Sequence, residues 1–207
     1  MISFVYFDVG GVVMQDFSGT NKWHELMHDL RIPDNKKEAF NRLMTSYRPK
    51  ISTGLMTLDD EIDGARQKLQ LQIPTDYSLL DDLVNRFEQN PSIWPVIADI
   101  HKTHKVGLLT NMFVGMLDKI KSQHLLPNEP WDIIIDSSIV HLKKPDKAIF
   151  EFAQKQADVP HNEILFIDNL LENIQAAEAL GWQTFLYDST NPEESSQKLL
   201  STFTKNQ

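Results

Sequence analysis

The sequence has no cysteine among its 207 residues. A disulfide framework, a thiol nucleophile and thiolate metal ligands are thereby excluded, and the composition fits a reducing compartment. Long apolar runs are missing as well: none approaches the roughly 18 residues that a membrane span requires. Met1 leads directly into ISFVYF with no basic leader, so the chain reads as cytoplasmic and without a membrane partner. Cations are the third scarcity, with 20 Lys and Arg against 29 Asp and Glu and a formal net charge of −9. Nucleic-acid binding needs clustered Lys and Arg to release counterions from phosphates, so this balance argues against a nucleic-acid partner. Small molecules are the expected partners, and an anionic one needs a local positive site. Nothing in the sequence speaks to oligomeric state.

What is present is an ordinary globular composition, 41% hydrophobic and 24% charged, enough for one full core in a single domain or in a main domain with an insertion. Short apolar runs of strand type stand at 2–7, 106–110, 132–136, 163–168 and 183–187. Between the later four lie helix-like segments at 113–125, 146–157 and 171–181. Continuous apolar strands alternating with helices predict a parallel sheet covered on both faces, a doubly wound α/β domain. The rhythm breaks after the first strand. Residues 16–90 carry 3.6-periodic charged segments around 21–30, 35–47, 58–70 and 78–89 with no convincing strand, which predicts an all-helical insertion into a core made of 1–15 and 91–207. Thr57-Leu58-Asp59-Asp60 resembles a capping box, and Pro33, Pro49, Pro74 and Pro91 punctuate the block. The tail after Asn191 reads as an amphipathic helix.

The stretch YFDVGGVVM, residues 6–14, runs an apolar strand into an aspartate and two glycines. An Asp is costly to bury unpaired, so it either caps a turn or emerges at an open strand end. In open parallel sheets ligands bind beyond the carboxyl ends of the strands, and those ends are unusually polar here. They carry Asp8, Thr110-Asn111 and Asp168-Asn169, while the loop after the third strand leads to Lys143-Lys144-Pro145. Pro145 fits the first position of a helix, which puts Lys144 beside free backbone N–H groups and points to a phosphate or carboxylate site. Singly, each of these residues reads equally well as a turn, a cap or a solvated pair; their joint placement at consecutive strand ends does not.

The ordered set FDVGGVV, LLTN, KKPDKAIF and LFIDNLLENIQAAEALGW resembles the four motifs of the haloacid dehalogenase-like hydrolase superfamily. STGLMTLDDEIDGA is similar to a Gly-containing stretch of its helical caps. The resemblance covers essentially the whole chain and implies a Rossmann-like core with a cap inserted after the first motif. It implies an Mg2+-dependent phosphohydrolase acting on a small phosphorylated metabolite such as a sugar phosphate. Asp8 would be the nucleophile, forming an aspartyl-phosphate. Thr110 and Lys144 would hold the phosphoryl group, and Asn111 would help shape its pocket. Mg2+ would sit among Asp8, the Gly10 carbonyl and the fourth-motif residues Asp168 and Asn169.

Two departures accompany the resemblance. Gly10 stands where most phosphatases of the family carry a second Asp as general acid and base, so leaving-group protonation is expected from water, a cap residue or the substrate. Asp168-Asn169 stands where Asp-Asp is common, which implies weaker Mg2+ binding unless Asp168 compensates. The rival readings are a 2-haloacid dehalogenase, in which Asp8 attacks carbon, and a catalytically weak relative that binds a phosphorylated ligand or a partner protein. Such dehalogenases typically carry Tyr at the position of Gly10 and a Ser-rich fourth motif.

One further motif competes. His24-Glu25-Leu26-Met27-His28 matches H-E-x-x-H, a zinc-protease signature. No third His or Gly follows and Pro33 ends the helix early, so the segment reads as a solvated pair on an insertion helix. Phe17, Trp23 and Tyr47 are candidate pocket-lining residues. Trp94, Trp131 and Trp182 are assigned to core or surface.

Overall fold

The computed structural model describes residues 1–204. In chain order the elements are β1 (Phe4–Phe7), β2 (Met14–Gln15), α1 (Lys22–Asp29), α2 (Asp34–Ile51), α3 (Leu58–Lys68), α4 (Leu79–Asn85), β3 (Glu88–Gln89), α5 (Trp94–His101) and β4 (Lys105–Thr110). They continue as α6 (Met116–Ser122), β5 (Ile133–Asp136), α7 (Ser137–Val140), α8 (Lys147–Ala157), β6 (Ile164–Asp168), α9 (Leu171–Glu178), β7 (Gln183–Leu186) and α10 (Pro192–Thr204). Five strands form a parallel sheet in the order β5-β4-β1-β6-β7. The first strand therefore lies in the middle, with Phe7 in register with Leu108 on one side and Ile167 on the other.

That position explains the unbroken run FVYF. Successive side chains point to opposite faces, so Val5 and Phe7 enter one core with Leu108 and Ile167, while Phe4 and Tyr6 enter the other with Phe150, Phe166 and Trp182. The Trp182 ring stacks on Tyr6 at 5.9 Å. Gly107 in β4 makes room for this second core, because a Cβ there would lie 2.9–3.0 Å from the Tyr6 and Phe4 rings. Among the described residues no helix is long and apolar enough to cross a membrane.

The helical block between β1 and β4 is bounded by a two-stranded ribbon that the sequence reading does not contain. Met14 and Gln15 pair antiparallel with Gln89 and Glu88, which ends α4 at Asn85 rather than 89. Short polar strands have no periodicity to reveal them; only their pairing makes them strands. Within the block, α3 starts on a true capping box: the Asp60 N–H donates to the Thr57 hydroxyl at 3.0 Å, and the Thr57 N–H donates to Asp60 Oδ2 at 3.0 Å. α2 runs past Pro49 to Ile51, since a proline in the last turn removes only one ladder bond. Leu26, Phe40, Ile62 and Val84 are its buried interior, and Trp23 stacks on Phe40 at 5.9 Å. His24 and His28 face away from this interior and are exposed, with His28 3.5 Å from Asp29.

Pro145 does not open a helix. α8 begins at Lys147 with Asp146 at its N-cap, so Lys144 belongs to the loop before the cap. The proline's fixed φ suits an extended approach to a helix as well as its first turn.

Candidate active site

Three strand ends meet on one side of the sheet. Asp8 follows β1 directly and its N–H donates to the Ile167 carbonyl at 2.8 Å, tying it to the end of β6. Thr110 closes β4 opposite Asp136, and Asp168 closes β6. Above them opens a cavity of about 590 Å³ whose floor includes Asp8, Gly10, Thr110, Asn111, Lys144 and Asn169. The structure thus brings together the motif residues of all four segments.

Lys144 is 2% exposed and forms two ion pairs, to Asp8 Oδ1 at 2.9 Å and to Asp168 Oδ2 at 2.6 Å. A buried ammonium survives only with such partners. Burial alone lowers its proton affinity, but Asp168 and Asp8 more than offset that, so it titrates above the usual lysine range. Burial pushes the Asp8 carboxyl up to about 6 against the pull of Lys144. Asp8 Oδ1 also accepts the Val9 N–H at 2.8 Å. Among the described residues nothing donates to its second oxygen, Oδ2, which is left for a reacting atom or a cation.

The lysine is held from behind. Asn111 accepts the Lys144 N–H at 2.8 Å and donates its amide to the Lys144 carbonyl at 2.9 Å, so its amide positions the lysine as well as facing the cavity. Asp168 is 0% exposed and does not line the cavity. Its Oδ2 accepts from Lys144 and from the Asn173 amide at 3.0 Å, and its Oδ1 accepts the Leu170 N–H at 2.7 Å. Asp168, expected as a metal ligand, has its two oxygens engaged with Lys144, Asn173 and the turn into α9. Asn169 does line the cavity and leans on Gly11, where a Cβ would lie 2.3 Å from its Nδ2. Gly11 has φ +76°, so both backbone and neighbour require glycine there.

Three carboxyls that the sequence reading passed over, Asp16, Glu61 and Glu172, also line the cavity. A Cβ on Gly10 would lie 2.6 Å from Asp16 Oδ2, so the carboxylate absent at residue 10 is replaced, in space, by that of residue 16. The other Asp16 oxygen accepts the Ser18 N–H at 2.8 Å. Only the folding of residues 10–14 back on themselves, through a Gly10–Met14 bridge, brings the two together. Glu61, on α3, is 3% exposed, and burial raises its carboxyl to about 7 against the pull of Arg48. In sequence it looked like one more acid on a charged helix. Phe17 and Trp23 reach the cavity as anticipated, but Tyr47 does not; its hydroxyl accepts from Lys68 at 2.8 Å on the outside of the block.

A sequence profile described as haloacid dehalogenase-like hydrolase matches residues 2–181. The chain belongs to that family. The hydrolase fold is shared with an HAD-like family hydrolase from Porphyromonas gingivalis at a TM-score of 0.74 and 20% identity, covering 91% of this chain and 92% of the other. An HAD family enzyme from Bacteroides thetaiotaomicron, crystallised with magnesium and inorganic phosphate, gives 0.72 at 17% identity over 91% and 96% of the two chains. The sesquiterpene phosphatase astK of Aspergillus oryzae is 32% identical over 79 residues, 37% of this chain and 38% of its own length. Matches to the curated relatives span 38% of their length or less.

The hydrolase's donor set suits a hard divalent cation. Among the described residues no three acidic or His side chains cluster. What the floor does offer is oxygen: the Asp8 carboxylate, the Gly10 carbonyl and the Asn169 amide. Mg2+ takes one or two carboxylates and completes its shell with water and substrate phosphate, so a short, all-oxygen set fits it.

Proposed function

We propose that this hydrolase is an Mg2+-dependent phosphomonoesterase that works through an aspartyl-phosphate on Asp8. The observation that carries the reading is the buried Asp8–Lys144 pair at 2.9 Å on the cavity floor, a nucleophile and a fixed cation facing one space. A carboxylate oxygen of Asp8 attacks phosphorus as the P–O bond to the leaving group breaks, and the departing alkoxide takes its proton from water. Lys144 and the Thr110 hydroxyl hold the non-bridging oxygens, while Asn111 and Asp168 keep the lysine in place. Water then cleaves the P–O bond to Asp8, releasing inorganic phosphate and restoring the carboxylate. Asp8, the Gly10 carbonyl and Asn169 would hold Mg2+, whose charge would let an anionic nucleophile approach an anionic ester. The helical block acts as a cap that keeps bulk water from the floor. The magnesium and phosphate bound by the Bacteroides enzyme, and the phosphatase name of the Aspergillus relative, support this reading.

Incubation with a broad phosphomonoester panel tests it. Phosphate release should be abolished by EDTA and restored by Mg2+, and Asp8→Asn should remove turnover while the circular dichroism spectrum is kept. Chloride release from 2-chloropropionate without phosphatase activity points to carbon as the site of attack, and Asp8→Asn near wild-type rate removes Asp8 as nucleophile.

A further inference from the structure

The cavity has two chemically different ends. The floor is the polar ring of strand-end residues, and the wall above it is apolar, built from Phe17, Trp23, Met44, Leu83, Phe87 and Phe113 among others. The aromatic part of the wall is interlocked: Phe17 meets Phe87 edge-on at 6.0 Å, and Trp23 is backed by Phe40 at 5.9 Å. A preset aromatic wall costs little entropy when a ligand docks. The volume, about 590 Å³, exceeds what a phosphate alone needs and lies within the range of sites that enclose a drug-sized molecule.

Away from the strand-end segments, which add Asp16, Ser18, Lys143, Glu172 and Asn173 to the lining, polar partners are few. Ser52 donates its hydroxyl to the Arg48 carbonyl at 2.7 Å. The Arg48 guanidinium lies over the Phe113 ring at 5.8 Å. Glu61 accepts no hydrogen bond from the described residues, and burial raises its carboxyl to about 7, so below that pH the neutral form prevails. A sugar would bring several hydroxyls into this space, and each one stripped of water without a partner costs binding. Leu170, 45% exposed, continues the apolar lining outward.

We propose that the site takes phosphate monoesters of apolar alcohols, with the phosphate on the floor and a hydrocarbon leaving group against the wall. This rests on the phosphomonoesterase reading. It replaces a sugar phosphate as the expected substrate.

The test is a series of linear alkyl phosphates from ethyl to decyl, with glucose 6-phosphate as a polar match for hexyl phosphate, assayed with Mg2+ for kcat/KM. The expected result is a rise of roughly threefold per added methylene until the wall is filled, with hexyl phosphate ahead of glucose 6-phosphate by about 100-fold or more. Phe113→Ser and Phe87→Ser, checked for an unchanged melting profile, should flatten the slope. Turnover of short esters with a flat series, or a preference for glucose 6-phosphate, overturns the apolar site and leaves the phosphomonoesterase reading standing. Absence of turnover on every ester sinks that reading instead. Calorimetry with non-hydrolysable alkyl phosphonates then decides this one: affinity that climbs with chain length keeps the apolar site, and affinity independent of length removes it.

Discussion

Lys144 is the residue on which both stability and chemistry turn. Its ammonium separates two buried carboxylates, Asp8 and Asp168. Lys144→Met would leave them facing each other without a cation, a loss of about 3–5 kcal/mol by analogy with broken buried pairs. The variant should therefore melt early as well as lose turnover, and adding Asp168→Asn should recover part of the melting temperature but none of the activity. Equal melting of wild type and Lys144→Met would show that the pair is not held in solution. Gly10 and Asp16 form a second residue-scale test, because the two positions share one space. Asp16→Ala should lower turnover on the order of 100-fold if a carboxylate there takes part in the reaction. Gly10→Asp alone should crowd Asp16 and weaken the enzyme, whereas Gly10→Asp in the Asp16→Ala background should restore much of the rate. A double variant no better than Asp16→Ala removes the idea that one carboxylate stands in for the other.

At the scale of elements, α3 shows how a helix can be legible and still hide its function. Its start was readable from Thr57 and Asp60, because a capping box is a local device. Its buried acid was legible only through the period: Glu61 shares the i, i+3, i+4, i+7 face of Leu58, Ile62 and Ala65, while Asp59, Asp60 and Asp63 fall off it. Burial raises Glu61 from its ordinary 4.5 to about 7. A carboxyl whose folded-state value is raised stabilises the fold fully below its unfolded value and loses that contribution as pH climbs through the folded one. Glu61→Gln should match wild type in stability near pH 5 and exceed it at pH 8, on the order of 2 kcal/mol or roughly 5 °C in Tm. Thermal melts at the two pH values check this; a difference independent of pH would mean that Glu61 is already ionised in the fold. The ribbon of β2 and β3 belongs to the same scale. Two residues against two residues give no sequence period, yet this pairing closes the helical block at both ends.

The whole molecule carries a formal net charge of −9, and its proposed substrates are anions. Outside the floor the protein's field opposes their approach, and salt screens that field with a Debye length of about 8 Å at physiological strength, while the buried Lys144 contact is screened far less. KM for a phosphomonoester at saturating Mg2+ should accordingly fall by about twofold between 10 and 150 mM NaCl, with kcat unchanged. A rise in KM over the same interval would show that local cations at the cavity mouth, Arg48 and Lys143 among them, outweigh the global charge.

The sequence alone determined the features that depend on neighbours along the chain: the apolar strand runs, the helical periodicity of the block, the capping box and the polar residues placed at strand ends. From these the parallel sheet and the meeting of Asp8, Thr110, Asn111 and Asn169 on one floor could be derived, because a parallel sheet gathers its carboxyl ends on one side. Tertiary structure decided what depends on contacts across the chain. Asp168 became the anchor of Lys144 because side chains 24 residues apart meet where both are buried. Asp16 came to fill the space over Gly10 because the Gly10–Met14 bridge folds the intervening residues back. How far the Glu61 carboxyl is desolvated was set by what packs over that face of α3. Each of these is a question of which groups share a desolvated space, and desolvation is a property of the folded volume rather than of any local run of residues.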